Sequence, residues 1–372
     1  MIPVNQPLLN GREKELLAQC IEAGWISSDG SFVGEFERKF ADYIGVKHGI
    51  AVCNGTAALE TALFAAGISK GDEVIMPSFT IISCALAAIR LGAIPVLVDA
   101  EPDTWNMDIS QIESRLSSKT KAIMPVHIYG HPVDMDPLLD IARKHNLIVV
   151  EDAAEAHGAE YKGRKCGALG NISAWSFYAN KIITTGEGGM VLTSNPKMAK
   201  RAESYRNLCF RPEKRFYHTE LGYNFRMTNL QAAVGVAQME RIEEFIQIKR
   251  KLGEYYHQRL LKFKGIKCQV EKPWAKMVYW MYCIELDNAL KLNAQDVIKE
   301  LARKEIGSRP FFLGLHQQPA LADLGLFKKE VYPVTERISQ QGLYLPSGLA
   351  LTEKQIDEVI AALAGILDKK EI

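Results

Sequence analysis

The chain has no disulfide framework. Its seven cysteines (Cys20, Cys53, Cys84, Cys166, Cys209, Cys268 and Cys283) are odd in number and scattered, and no CxxC pair occurs. That usage argues against a stapled scaffold and a zinc site and reads as reduced, mostly buried thiols of a cytosolic protein. Neither sign of charge dominates: 45 basic residues stand against 44 acidic ones, a formal net charge of +1, interspersed along the chain. So balanced a surface lacks the basic footprint that binds nucleic acid or an anionic membrane. No apolar run approaches the roughly 20 residues that span a bilayer, and Met1 to Pro7 lack the basic-then-apolar pattern of a signal peptide. The expected location is the cytoplasm, with no nucleic-acid or membrane partner and no metal. Repeats, low-complexity tracts and flexible linkers are missing too.

What is present is ordinary globular material: 372 residues, 47% hydrophobic. That length suits one large and one smaller domain, expected at 1–240 and 241–372. From His48 onward, short apolar runs alternate with amphipathic ones, including strands at 49–53, 73–76, 95–98, 122–127 and 147–150. Helices are expected between them at 57–66, 82–91, 109–116 and 135–145. Such alternation implies an α/β fold, a mainly parallel sheet covered by helices on both faces, with ligands at the carboxyl ends of its strands. Further on, the pattern predicts one long helix over 230–260, a strand over 277–285 and helices over 294–304 and 353–367, the elements of a smaller α+β domain.

Three local features carry chemistry. The strand ending at Cys53 runs through Asn54-Gly55-Thr56-Ala57 into a strong helix former, and the free N–H groups of a helix start suit a phosphate. The same residues also suit a plain turn and helix cap, and the two readings stand open. Asp152 directly follows the strand 147–150, where its carboxylate faces the cleft and can hold a protonated ring nitrogen; a helix cap or a metal ligand are the alternatives. Lys181 lies in a polar, glycine-rich segment between apolar runs 172–178 and 190–192. An isolated loop lysine is usually a surface charge. Held beside a buried sheet, it loses solvation, lowers its pKa and can form a Schiff base with a carbonyl. Phosphate turn, Asp152, Ser176 and Lys181 together match what pyridoxal 5'-phosphate needs.

With these features the chain resembles the DegT/DnrJ/EryC1/StrS sugar aminotransferase family of pyridoxal phosphate enzymes. The resemblance runs through Gly24 to Ser28, Asn54 to Leu59, Pro77 to Thr80, His127 to Gly130, Glu151 to Ala156, Ser176 to Gly189 and Tyr223 to Asn229. It implies the aspartate aminotransferase-like fold, type I of the pyridoxal phosphate enzymes, with a mostly parallel seven-stranded sheet. It also implies a homodimer with shared active sites. Lys181 matches the lysine that carries the cofactor, and Asp152 the partner of its ring nitrogen. Gly55, Thr56, Ala57 and Ser176 match the phosphate positions, with Asn224 reaching across from the neighbouring subunit. Glu155 stands where many relatives have glutamine against the ring, and Ile81 where many place an aromatic ring, so it can pack there but not stack. Lysine rather than histidine at position 181 favours full transamination over sugar dehydration.

The activity so implied is amino transfer from glutamate to C4 of a nucleotide-diphosphate 4-keto-6-deoxy sugar, for surface polysaccharide. Ser176-Phe177, Asn180-Lys181, Thr185 to Gly189 and Ser308 to Phe312 favour GDP-4-keto-6-deoxymannose, with UDP- or dTDP-linked sugars as alternatives. Trp25, Tyr129, Arg309 and His316 are candidate substrate contacts, Arg309 foremost because a guanidinium fork suits a diphosphate. A regulator that keeps the pocket without catalysis, and a nucleotide-binding protein without the cofactor, are the rival readings.

Overall fold

The runs Ile172–Ser176 and Gly189–Thr193 are buried along their whole length, as strands covered on both faces must be. The computed structural model describes residues 1–211, 213, 214 and 216–367. In chain order its strands are β1 (His48–Val52), β2 (Glu73–Pro77), β3 (Ile94–Val98), β4 (Thr120–Ile123), β5 (Ile148–Asp152), β6 (Glu160–Tyr161) and β7 (Arg164–Lys165). They continue as β8 (Ile172–Ser176), β9 (Gly189–Thr193), β10 (Ile266–Cys268), β11 (Ala275–Lys276), β12 (Tyr282–Leu286), β13 (Arg309–Pro310) and β14 (Gly342–Leu345). The helices are α1 (Glu13–Glu22), α2 (Ser31–Ile44), α3 (Gly55–Ala65), α4 (Ser83–Arg90), α5 (Met135–Lys144) and α6 (Pro196–Arg206). After these come α7 (Asn229–Met239), α8 (Ile242–Leu260), α9 (Ala294–Arg303), α10 (Pro319–Asp323), α11 (Pro333–Gln341) and α12 (Glu353–Leu367).

Seven strands make the main sheet, in the order β1-β9-β8-β5-β4-β2-β3. All neighbours pair in parallel except at β9, which runs against both β1 and β8. Because β8 and β9 are antiparallel, the connection between them stays at one edge of the sheet, the carboxyl edge of β8. Residues 177–188, Lys181 among them, are that connection. A four-stranded antiparallel sheet, β10-β12-β14-β13, belongs to the C-terminal part. One apolar core surrounds the main sheet, and a second lies around the four-stranded sheet with Tyr256, Tyr282, Ile284 and Leu363. Helix α8 enters both, through Phe245 and Ile246 at its start and Tyr256 and Leu260 at its end.

Four expected elements differ. The strand over 122–127 is β4, which ends at Ile123; beyond it Pro125 has no N–H to donate and only Val126 keeps an isolated bridge, to Asp152. The single helix over 230–260 is two helices, because α7 packs on α1 and α2 while α8 leaves for the second core, and one straight rod cannot serve both. The helix over 109–116 is two short 3-10 turns. There Asp108 accepts from the backbone and hydroxyl of Ser110, and Ser114 donates to the Gln111 carbonyl, local bonds that compete with a helical ladder. The strand over 277–285 begins only at Tyr282, since Tyr279 has φ 46°, outside the range of a strand.

One buried carboxylate holds the carboxyl end of β5 in place. Glu151 is fully buried and accepts from the backbone N–H groups of Gly167, Leu169 and Gly170 and from His127 Nε2 at 2.9 Å. Val133 N–H donates to His127 Nδ1, so the ring proton sits on Nε2 and is donated to Glu151. Three of these four donors tie the loop before β8, and the fourth the segment after β4, to the residue preceding Asp152. Replacing Glu151 by alanine leaves them unpaired, and urea unfolding is expected to show a loss of about 3 kcal/mol or more. An unchanged midpoint and slope would refute the clamp.

Candidate active site

A cavity of about 590 Å³ opens at the carboxyl edges of β2, β5 and β8, the size of a small-molecule site. Its lining includes Gly55, Thr56 and Ala57 at the start of α3, Asp152 at the end of β5, Glu155 just beyond it, Ser176 at the end of β8, and Lys181. Seven of the residues expected from sequence therefore meet in one place.

At the start of α3, the Asn54 side chain accepts from Ala57 N–H at 2.8 Å, the cap of the helix. Both readings of this turn hold, divided between residues. Ala57 N–H is taken by the cap, while the N–H groups of Gly55 and Thr56 have no acceptor within the helix and stay open to an anion. Gly55 must be glycine, since a Cβ there would lie 2.7 Å from Ser176 Cβ. That close approach sets Ser176 beside the open N–H groups. Thr56 Oγ1 lies 3.0 Å from Ser83 Oγ, adding hydroxyls to the same cradle.

Asp152 is buried. Its Oδ1 accepts from Ala154 N–H at 3.1 Å and its Oδ2 from the Cys84 thiol at 3.1 Å, so the carboxylate is oriented from two sides. Lys181 Nζ stands 4.0 Å from Glu155 Oε1 and 3.9 Å from the centre of the Trp280 ring. Burial pulls the lysine below the usual amine range, against the charges of Glu155 and Asp152. Burial also pushes the Glu155 carboxyl up, against the pull of Lys181 and of the Tyr129 N–H that Glu155 Oε2 accepts at 2.7 Å. Both shifts reduce the charge in the cavity. They ease passage of a proton from amine to carboxyl and favour the neutral amine, the nucleophilic form.

The cradle, the oriented carboxylate and the desolvated amine fit the phosphate, ring nitrogen and aldehyde of pyridoxal phosphate. Other expected residues lie elsewhere. Asn224 does not line the cavity of its own chain; its Oδ1 accepts from Arg226 Nε. Trp25 is 57% exposed on the loop before α2, where its backbone carbonyl is held by Asn229 Nδ2. Tyr129 is wholly buried beneath the site, against Trp280 and Phe312, so its ring cannot reach a substrate in the cavity. His316 is paired with Glu336 at 3.1 Å and packs on Tyr332, away from the cavity. Arg309 is exposed on β13, opposite Tyr344, which does line the cavity. Ile81 lines the cavity as an aliphatic side chain, 44% exposed.

Sequence reasoning missed Cys84, Trp280, Phe312 and Tyr344. Only Cys84 had a local signal, its place in the first turn of α4, the helix that follows β2. The other three come from the C-terminal third and reach the site through tertiary packing.

A mostly parallel sheet wound in this order, with an amine on the return loop at its carboxyl edge, is the aspartate aminotransferase-like fold, and its class is the pyridoxal phosphate aminotransferases. Residues 7–364 match the DegT/DnrJ/EryC1/StrS aminotransferase family, and the chain belongs to it. It is 45% identical over 370 residues to a protein of Caulobacter vibrioides named GDP-perosamine synthase, covering 98% of each. A protein of the same name from Escherichia coli O157:H7 is 40% identical over 355 residues, 95% of each. Among solved structures, DesV of S. venezuelae superposes with a TM-score of 0.89 at 32% identity, covering 96% of this chain and 94% of that one. No helix among the described residues is long and apolar enough to cross a membrane.

The Glu155 charge holds the Lys181 pKa up. Glu155→Gln is therefore expected to move the pH midpoint for modification of Lys181 by an amine-selective reagent downwards, read by peptide mass spectrometry in cofactor-free protein. An upward move would reverse the assigned electrostatics.

Proposed function

We propose that the protein transfers the amino group of glutamate to C4 of GDP-4-keto-6-deoxymannose, giving GDP-perosamine, with pyridoxal 5'-phosphate as cofactor. The observation that carries the reading is a buried lysine amine, beside an oriented aspartate, in a chain 45% identical over nearly its whole length to a GDP-perosamine synthase. Such a sugar would serve surface polysaccharide, and the cytoplasm, where nucleotide sugars are made, is the proposed location.

Pyridoxal phosphate, when bound, supplies an aldehyde to take up the amino group and a ring that accepts the electrons released at carbon. Gly55 and Thr56 N–H, with the Thr56 and Ser176 hydroxyls, hold its phosphate. Asp152 keeps its ring nitrogen protonated, with Ala154 N–H and the Cys84 thiol fixing the carboxylate. Glu155, its carboxyl pushed up to about 7 by burial, can donate to the ring hydroxyl in its protonated form. With the cofactor bound, Lys181 would hold it, and its free Nζ would move the proton at the donor Cα. The Trp280 ring and the depth of the cavity limit water at that nitrogen. We further propose that Asn224 of a second subunit completes the phosphate site in a homodimer, and that Arg309, paired opposite the cavity-lining Tyr344, meets the sugar diphosphate.

The test is a panel of GDP-, UDP- and dTDP-linked 4-keto-6-deoxy sugars with glutamate, read by product mass. Preferential amination of the GDP sugar is expected, and equal turnover of all three would refute the sugar assignment. Lys181→Ala should lower turnover by about a thousandfold or more. Wild-type turnover in that variant would remove the lysine from the mechanism, and a wild-type protein that binds the cofactor without consuming glutamate would be a regulator.

A further inference from the structure

Outside the site, one buried cation has no counterion. Lys249 of α8 is 3% exposed, and among the described residues its Nζ pairs with no carboxylate. It donates instead to two backbone carbonyls, that of Trp280 at 2.7 Å and that of Ser347. Burial lowers its pKa to about 7. An ammonium and a neutral amine each have at least two N–H donors, so both forms serve the two carbonyls. Burying a lysine for two neutral acceptors is costly, and its acceptor at Trp280 points to a use.

Trp280 sits where its backbone needs support. The preceding residue, Tyr279, has φ 46°, a left-handed conformation that side chains rarely adopt. Tyr279 also packs so tightly on α8 that a Cβ at Gly253, one turn beyond Lys249, would lie 2.4 Å from its ring. The indole then faces the active site: its Nε1 donates to the Asn180 carbonyl at 2.8 Å, and its ring centre is 3.9 Å from Lys181 Nζ. A chain of contacts therefore runs from Lys249 through the Trp280 carbonyl and ring to both Lys181 and the residue before it.

We infer that Lys249 is a positioning residue: it pins the Trp280 backbone, and through it sets the indole that fixes the place of the Lys181 amine. The inference rests on the reading of Lys181 as the amine that carries pyridoxal phosphate. Lys249 never touches substrate or cofactor, and its effect passes through Trp280. Removing its donors leaves the Trp280 backbone held only on its N–H side, by the Tyr129 carbonyl at 3.2 Å, which lets the indole shift from Lys181 Nζ and changes both the amine's environment and its alignment for proton transfer.

The experiment is a double-mutant cycle on the holoenzyme with Lys249→Met, which keeps the length of the stem but has no donor, and Trp280→Phe. Three readouts are taken: the pH midpoint of the visible absorbance of bound pyridoxal phosphate, kcat and KM for the keto-sugar, and Tm. Lys249→Met is expected to move the midpoint by about half a unit or more and lower kcat about tenfold with KM within about twofold. In the Trp280→Phe background it should add little to either. Lys249→Gln, which retains an N–H2 donor, should recover much of the loss. A Lys249→Met enzyme with lower Tm but wild-type midpoint and kcat would reduce Lys249 to a structural residue and overturn the inference. An equal effect with and without Trp280 would overturn it too. If Lys249→Met does not fold, Lys249→Leu, which also has no donor, carries the cycle under the same criteria. A wild type with no visible band would count against the proposed function instead. Positioning is then judged by the Trp280 emission, taken as wild type minus Trp280→Phe, which Lys249→Met or Lys249→Leu must shift.

Discussion

Burying the Lys181 amine costs hydration that its neighbours return only in part: Glu155 stands 4.0 Å away and the indole of Trp280 3.9 Å. That deficit makes the nitrogen reactive, and much of the surrounding structure serves to maintain it. The main sheet brings Asp152 and Ser176 to one edge, the start of α3 supplies open N–H groups beside them, and the C-terminal part closes the other side with Trp280, Phe312 and Tyr344. No one element makes the site. Each contributes one group, and the apolar packing behind it prevents that group from relaxing towards water.

Buried polar groups hold the frame, and each draws partners from other segments of the chain. Glu151 collects four donors one residue before Asp152, and Asp152 is itself held by Ala154 N–H and the Cys84 thiol. Adjacent carboxylates in one strand thus have different tasks: the first, fully enclosed, ties down a loop, and the second faces the cavity. A strand that alternates its faces achieves this division with consecutive residues.

Much of this was legible in the sequence, because the signals were local. Apolar runs of strand length alternating with amphipathic helices give the mostly parallel sheet, and strand ends give Asp152, Ser176 and the turn at Asn54. Lys181 was legible from its place between two apolar runs. What was not legible depends on packing between distant segments. Residues 230–260 carry one continuous helical pattern, and only the existence of two cores breaks it. Trp280 reads as one more apolar residue of a strand until the left-handed backbone at Tyr279 turns it to the site. Tyr129 and His316 read as candidate substrate contacts, yet one packs wholly under the cavity and the other spends its nitrogen on Glu336. At Asn54 the sequence offered cap and anion site as rivals, whereas the structure assigns them to different residues of one turn.

The reversed strand β9 has a consequence for how this region can vary. Residues 177–188 are bounded by strands whose pairing is fixed, Ser176 opposite Gly189 and Trp175 opposite Met190, and they are tied across by Phe177 N–H to the Gly188 carbonyl. Inserting or deleting one residue would either slip that register, turning every side chain of β9 to the opposite layer, or force a bulge at the root of the loop. The hairpin works as a ruler of set length, and among homologous chains its tip should tolerate exchange of residues far more readily than a change in their number.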